Sequence, residues 1–403
     1  MVLPAPLVLA DSRLHELHAR VAFSTFLNPT NIAAARDRFL ADGEPPTFTY
    51  APFAGADASL LALDAISPGV DHPFARLIDE AVAETRCAVV ALRNRTCEAF
   101  DEWNRHANWY PDPADDRAAA LTSGEGAKRD GAPVEGAAGD GAPVETFGAE
   151  AMRRILHAAL RTRGWPDWTV EFDPVMAARI LVDAPRRLMR LNPRARFRAS
   201  DARGMVAHEI DVHVRRARHG SLQPLHVFAT GLAGNLATEE GLAVLAEEAV
   251  GAALPHAAQS QALIAAAVDV ARTVGFRALY QWLRASTSAP GAWTIAMRLK
   301  RGLAEPEEPG VYAKDSVYAI GRRRVSRWLA EGGDPRWFYC GKVGVEHPTK
   351  AWVDDGLLVP PPELPAWLPD LVAAARRINP PGLGSSSGEI PPSGGPPRPS
   401  SSS

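Results

Sequence analysis

Two histidines five residues apart restrict the backbone of this chain more than any other feature. They lie in His208-Glu209-Ile210-Asp211-Val212-His213, inside a stretch from Gly204 to Arg216 that reads as helix. Ser200 and Asp201 are its N-cap candidates and Gly220 its C-terminal stop. The better-known zinc-peptidase spacing sets the histidines four apart, on one helical face. Five residues turn about 500° at roughly 100° per residue, which leaves the side chains about 140° apart in a regular α-helix. A shared task for both imidazoles therefore requires a π-type turn with i to i+5 bonding, a distortion frequent at functional sites. Without it, the pattern reads as two histidines on an amphipathic helix, one packed and one solvated.

A second motif follows in Thr238-Glu239-Glu240-Gly241-Leu242-Ala243-Val244-Leu245. Thr238 is an N-cap candidate, and acids in the first turn complement the helix dipole, a structural role sufficient for Glu239. A catalytic zinc takes three protein ligands and keeps one position for water, and two His plus one Glu is an established set. His208, His213 and Glu240 can supply that set, one zinc per chain. Glu209, unable to reach the same face, is then left as general base toward a metal-activated water.

The rest of the sequence sets the frame. Of 403 residues, 46% are hydrophobic and 23% charged, an ordinary globular balance for one to three domains. Lys plus Arg total 44 against 47 acids, a net charge of -3, so the basic excess of a nucleic-acid binder is missing. No apolar run reaches the length of a membrane span, and neither a transmembrane helix nor a membrane partner is expected. The apolar start, Met1 to Ala10, has no Lys or Arg ahead of it and does not read as a signal peptide. Cys87, Cys97 and Cys340 are too scattered for a disulfide framework, which points to a reducing cytoplasm.

From Ser123 to Gly148 the chain is rich in Gly, Ala, Pro and acids, and Asp130-Gly131-Ala132-Pro133-Val134-Glu135 recurs at Asp140 to Glu145. With little to bury, it reads as a flexible insertion in a surface loop. The Pro-, Gly- and Ser-rich tail from Pro380 to Ser403 is expected to be disordered. The expected layout is an N-terminal helical region over 12–122, the insertion over 123–148, a zinc metallopeptidase catalytic region over 149–379, and the tail. Apolar spacing predicts helix over Phe74–Leu92, Glu150–Leu160 and Ala262–Leu283. Val170 and Phe172 alternate with polar neighbours. Ile180–Val182 and Leu188–Leu191 flank Asp183-Ala184-Pro185, as two short strands joined by a turn do. Trp165, Trp168 and Trp282 are assigned to packing. The fold class is mainly α with a small β element (α+β).

At these residues the sequence resembles the zinc carboxypeptidases related to the microtubule-associated tyrosine carboxypeptidases, with their bacterial relatives named for a Gln-Glu-Gly-Leu-Ala motif. That motif stands here as Glu239-Glu240-Gly241-Leu242-Ala243, with Glu in place of Gln at its first position. The family's His-Glu-Ile-Gly-Thr-His is similar to residues 208–213, with Asp211 and Val212 in place of Gly and Thr. His219-Gly220-x-x-Gln223-Pro224-Leu225, Arg301-Gly302, Lys314-Asp315-x-x-Tyr318-x-x-Gly321 and Gly341-Lys342-Val343 follow in the family's order. The resemblance runs from about Ala22 to Val359.

It implies a zincin-like metallopeptidase core around the HExxxH helix, with zinc on His208, His213 and Glu240 and catalysis by Glu209. It further implies removal of C-terminal residues from a protein or peptide. Recognising a terminal carboxylate requires a cation or strong donor. The resembled segments offer Arg301 first, then Lys314 and Lys342, with Tyr318 donating to the oxyanion. Each also has a structural reading, Arg301 as a helix cap and Tyr318 as core. Asp211 adds a carboxylate near the metal, so the substrate is not inherited with the motif. Glu247 and Glu248 read as a solvated helix face, and His219 and His226 as loop histidines. The rival functions are a non-catalytic metal-binding regulatory protein and a zinc endopeptidase. No pattern in the sequence encodes the oligomeric state.

Overall fold

The computed structural model describes residues 3–111, 146–176, 178–253 and 256–372. Most of the expected insertion and the tail from Pro380 lie outside these residues. The architecture is mainly helical with two small sheets, as expected. Six helices come first: α1 (Ala5–Arg20), α2 (Phe23–Leu27), α3 (Ile32–Asp42), α4 (Ala56–Asp64), α5 (Ala75–Asn94) and α6 (Cys97–His106). Helix α1 starts before Ser12, the expected edge of the ordered body. Its Leu7 and Leu14 are fully buried in one cluster with Phe74, Ile78, Phe228 and Leu242. The N-terminal helices thus share a core with the later part of the chain.

Strand β1 (Thr146–Gly148) leads into α7 (Ala149–Thr162) and pairs antiparallel with β5 (Arg196–Arg198), Phe147 opposite Phe197. The two rings stack with centroids 5.9 Å apart. Residues 146–148, counted by composition with the insertion, therefore belong to the fold. In the other sheet, β3 (Ile180–Asp183) and β4 (Leu188–Leu191) are the expected antiparallel pair around a tight turn, and β2 (Thr169–Phe172) adds parallel to β4.

The chain then enters α8 (Ala199–Met205), where Asp201 accepts from the Arg198 N–H at 3.1 Å, capping from inside the first turn. A π-helix over Val206–Val214 follows directly, and α9 (Arg215–Gly220) completes the rod. The Arg215 N–H reaches back five residues to the Ile210 carbonyl, which is the distortion demanded by the histidine spacing. Packing encloses this segment on both sides. Ala207 and Val212 join the core of α1 and α5, while Ile210 and Val214 join Met152, Leu156 and Met189 of α7 and the sheet.

After α10 (Val227–Thr230) comes α11 (Asn235–Ala249), then α12 (Ala257–Ala271), α13 (Phe276–Arg284), α14 (Ala289–Lys300), α15 (Val317–Ala330) and α16 (Thr349–Asp354). The apolar stretch 262–283 is thus two helices. The chain turns before Phe276, whose N–H bonds Pro306 O at 3.0 Å instead of continuing α12. Trp165 and Trp168 are buried, whereas Trp282 is 38% exposed and joins none of the buried clusters among the described residues. Helix α11 begins at Asn235 behind Gly234, so Thr238 is not its cap. The Thr238 hydroxyl instead accepts from the Val345 N–H at 3.0 Å. Among the described residues no helix is long and apolar enough to cross a membrane.

Helices α11 and α15 touch backbone to backbone. A Cβ on Gly321 would lie 1.7 Å from Ala237 O, and one on Gly241 would lie 2.1 Å from the Gly321 carbonyl carbon. Neither position admits a side chain unless the helices part. Gly321→Ala is expected to destabilise the protein by about 3 kcal/mol or more, since backbone cannot yield as a side chain does. Equilibrium urea unfolding checks this, and an unchanged midpoint would contradict the close contact.

Candidate metal centre

The π-turn brings the two imidazoles together, with ring centroids 4.9 Å apart. One ligand atom from each of His208, Glu209 and His213 lies within 4.8 Å of the others, so Glu209, expected off this face, stands beside both imidazoles because the π-turn rotates it toward them. Helix α11 presents Glu240 to them. Its Oε2 stands 3.5 Å from His208 Nε2 and 3.6 Å from His213 Nε2. The opposite nitrogens are also engaged, His208 Nδ1 with Glu247 Oε1 at 2.7 Å and His213 Nδ1 with Glu239 Oε1 at 2.8 Å. A carboxylate can only accept, so both Nδ1 atoms carry hydrogen and each Nε2 faces Glu240.

Glu240 Oε2 is buried and, apart from the two Nε2 atoms just beyond ordinary hydrogen-bond length, has no polar partner among the described residues. A buried anionic oxygen in that condition is costly unless a cation meets it. Two imidazole nitrogens and one carboxylate oxygen form the three-ligand set of a catalytic zinc site, so the residues present fit such an ion. The carboxylate-to-imidazole contacts behind them are the kind that orient histidine ligands.

The charges are strongly coupled. Burial opposes the imidazolium at His208, but Glu240, Glu247 and Glu209 outweigh it and raise its pKa well above the ordinary value. His213 is raised likewise, against burial, by Glu240 and Glu239. Burial would lift Glu240, yet the two imidazoles hold it well below the usual carboxylate range. Glu209 ends higher than an ordinary glutamate, because burial together with Glu240 and Glu247 outweighs the two histidines. An elevated carboxylate suits a base that must take up a proton.

The remaining candidates divide. Lys314, in the 3-10 turn Ala313–Ser316 just ahead of α15, and Tyr318, in the first turn of α15, lie within the electrostatic reach of Glu240, which works against burial at Lys314 and adds to it at Tyr318. Burial and the neighbouring Arg301 and Arg298 lower the Lys314 pKa, and the ammonium forms no salt bridge among the described residues. Arg301 caps α14 with its backbone, while its guanidinium lies over the Tyr312 ring and 3.5 Å from Asp315 Oδ1. Lys342 is bonded to Glu239 Oε1 at 2.9 Å.

Asp211 does not join the centre. Arg163 clamps it with two bonds of 2.7 and 2.8 Å, and Arg215 adds a third at 3.0 Å. Glu247, read as solvated, holds His208, whereas Glu248 pairs with Arg322. The signal for Glu247 was its place seven residues after Glu240, two helical turns on, which sets both on one face. His219 bonds the Tyr339 carbonyl and His226 bonds Asp11, away from the centre.

With this geometry in place, comparison with known proteins is informative. The family model described as microtubule-associated tyrosine carboxypeptidase matches residues 38–379, most of the chain. The chain belongs to that family. It is 34% identical over 129 residues to microtubule-associated tyrosine carboxypeptidase 1 of Mus musculus, covering 31% of this chain and 27% of the relative. Against the Homo sapiens protein of the same name, identity is 33% over 148 residues, covering 36% and 31%. The aligned part therefore spans less than a third of these relatives' length. The family match includes the histidines, Glu240 and α15.

Asp211→Ala would remove the carboxylate that Arg163 and Arg215 share, leaving Arg215 with Glu363 alone as an ion-pair partner among the described residues. The expected result is a loss of about 3 kcal/mol of stability, as for a broken buried ion pair. Chemical denaturation measures it; a loss below about 1 kcal/mol would show that the clamp is dispensable.

Proposed function

We propose that this chain is a zinc-dependent metallopeptidase of the carboxypeptidase type, removing C-terminal residues from a protein or peptide. The observation that carries this reading is the meeting of Glu240 Oε2 with both Nε2 atoms while both Nδ1 atoms are held by carboxylates. His208, His213 and Glu240 would hold one zinc. When bound, zinc lowers the pKa of water and polarises a carbonyl.

The chain's own groups supply the rest. Glu209 takes the proton of the attacking water and returns it to the leaving amine. Its elevated pKa matches both tasks. Tyr318, whose hydroxyl is kept neutral by burial and by Glu240, donates to the oxygen on which charge develops. Lys314 is the first choice for the terminal carboxylate, ahead of Arg301, because Asp315 and the Tyr312 ring already engage the Arg301 guanidinium.

Glu209→Gln should retain zinc and lose about 10²- to 10⁴-fold in turnover, since an amide cannot accept the water proton. Metal analysis and a peptide-cleavage assay on the same sample check both halves. Activity within about threefold of wild type would place the base elsewhere, and loss of stoichiometric zinc would make Glu209 a ligand.

A second test addresses substrate class. One peptide, offered as free acid and as C-terminal amide, should be cleaved about 10- to 150-fold better as the acid, the worth of a charge-assisted bond of roughly 1.5–3 kcal/mol. Lys314→Met should erase that preference while Arg301→Ala reduces it less. Equal cleavage of acid and amide by the wild type favours an endopeptidase, and no cleavage of either favours a non-catalytic metal-binding protein.

A further inference from the structure

The two candidate imidazoles are held by unequal partners. The Glu239 side chain is 4% exposed, and its Oε1 serves Lys342 Nζ as well as His213 Nδ1, so one anionic oxygen is shared between two donors. The Glu247 side chain is 20% exposed, and among the described residues its only ion-pair partner is His208. An undivided carboxylate polarises the N–H it accepts from more strongly, which makes the opposite ring nitrogen a better electron-pair donor. Glu247 lies outside both motifs, on the face of α11 that also carries Glu240.

Resting on the zinc reading above, we propose that Glu247 is a positioning residue for the metal centre. It fixes the His208 ring with Nε2 toward Glu240 and strengthens that nitrogen as a ligand. Shape alone does not suffice for this role. Glu247→Asp keeps the charge but falls one carbon short of Nδ1, whereas Glu247→Gln keeps the reach and an accepting oxygen but loses the charge.

Zinc affinity of the full-length protein, measured by competition with a chromophoric chelator, tests the proposal. Glu247→Ala is expected to bind zinc about 10- to 100-fold more weakly than wild type. Glu247→Asp should lose comparably and Glu247→Gln should fall between wild type and Ala. Visible spectra of the cobalt(II)-loaded proteins give an independent reading. The absorption of Glu247→Ala should depart from wild type and that of Glu247→Gln should return toward it, a pattern that a change in fold stability does not produce. An affinity of Glu247→Ala within about threefold of wild type, or Glu247→Gln no better than Ala, overturns the proposal. Should Ala fail to fold, a wild-type affinity in Glu247→Asp overturns it equally. A wild-type protein that binds no stoichiometric zinc would instead overturn the metal reading itself.

Discussion

Negative charge concentrated in the interior governs this structure. The carboxylates of Glu209, Glu239, Glu240 and Glu247 surround two imidazoles in a region almost closed to water. In a medium of low effective dielectric such groups cannot stand together unless positive charge is interleaved. Lys342 meets Glu239, Lys314 lies in the field of Glu240, and the histidines lean toward protonation. A divalent cation among the Nε2 atoms and Glu240 would satisfy the same demand while displacing protons, as ligand sites of this kind do.

Much of this centre was legible in the sequence because helical geometry is strict. A spacing of five residues from one histidine to the next left only one backbone solution that unites them, and the π-helix over Val206–Val214 is that solution. The hairpin around Ala184 was legible for a similar reason, since its turn residues and paired apolar runs leave few alternatives. Contacts distant in the chain were not. The Arg163–Asp211 clamp joins residues 48 positions apart, and nothing local at Asp211 signals that its charge is already matched. The spacing put Glu247 on the face of Glu240 but did not say what that face meets, because an acid late in a helix looks the same whether it faces water or an imidazole. The stretch 262–283 kept helical periodicity across a turn that is set by Pro306, a partner beyond the window.

The proposed substrate-facing residues show how tertiary context sorts equals. Arg301, Lys314 and Lys342 are alike as sequence symbols, each a cation in a resembled segment. Folding gives Lys342 to Glu239 and brings Arg301 against Asp315, while Lys314 feels Glu240 and Asp315 electrostatically but forms no salt bridge among the described residues. Availability, rather than residue type, separates them.

The seam between α11 and α15 has a consequence for how this site can change. At Gly241 and Gly321 two main chains are in contact with no side chain between them, so there is no compressible layer through which one helix could tilt against the other. Glu239 and Glu240 on α11 and Tyr318 on α15 are thereby held as one plate. If the site takes chain ends as proposed, accommodation of different ones must come from exchanging side chains on that plate, or from movement of the surfaces opposite it. Under the proposed function, selection for a new terminal residue would redecorate a fixed frame rather than bend it.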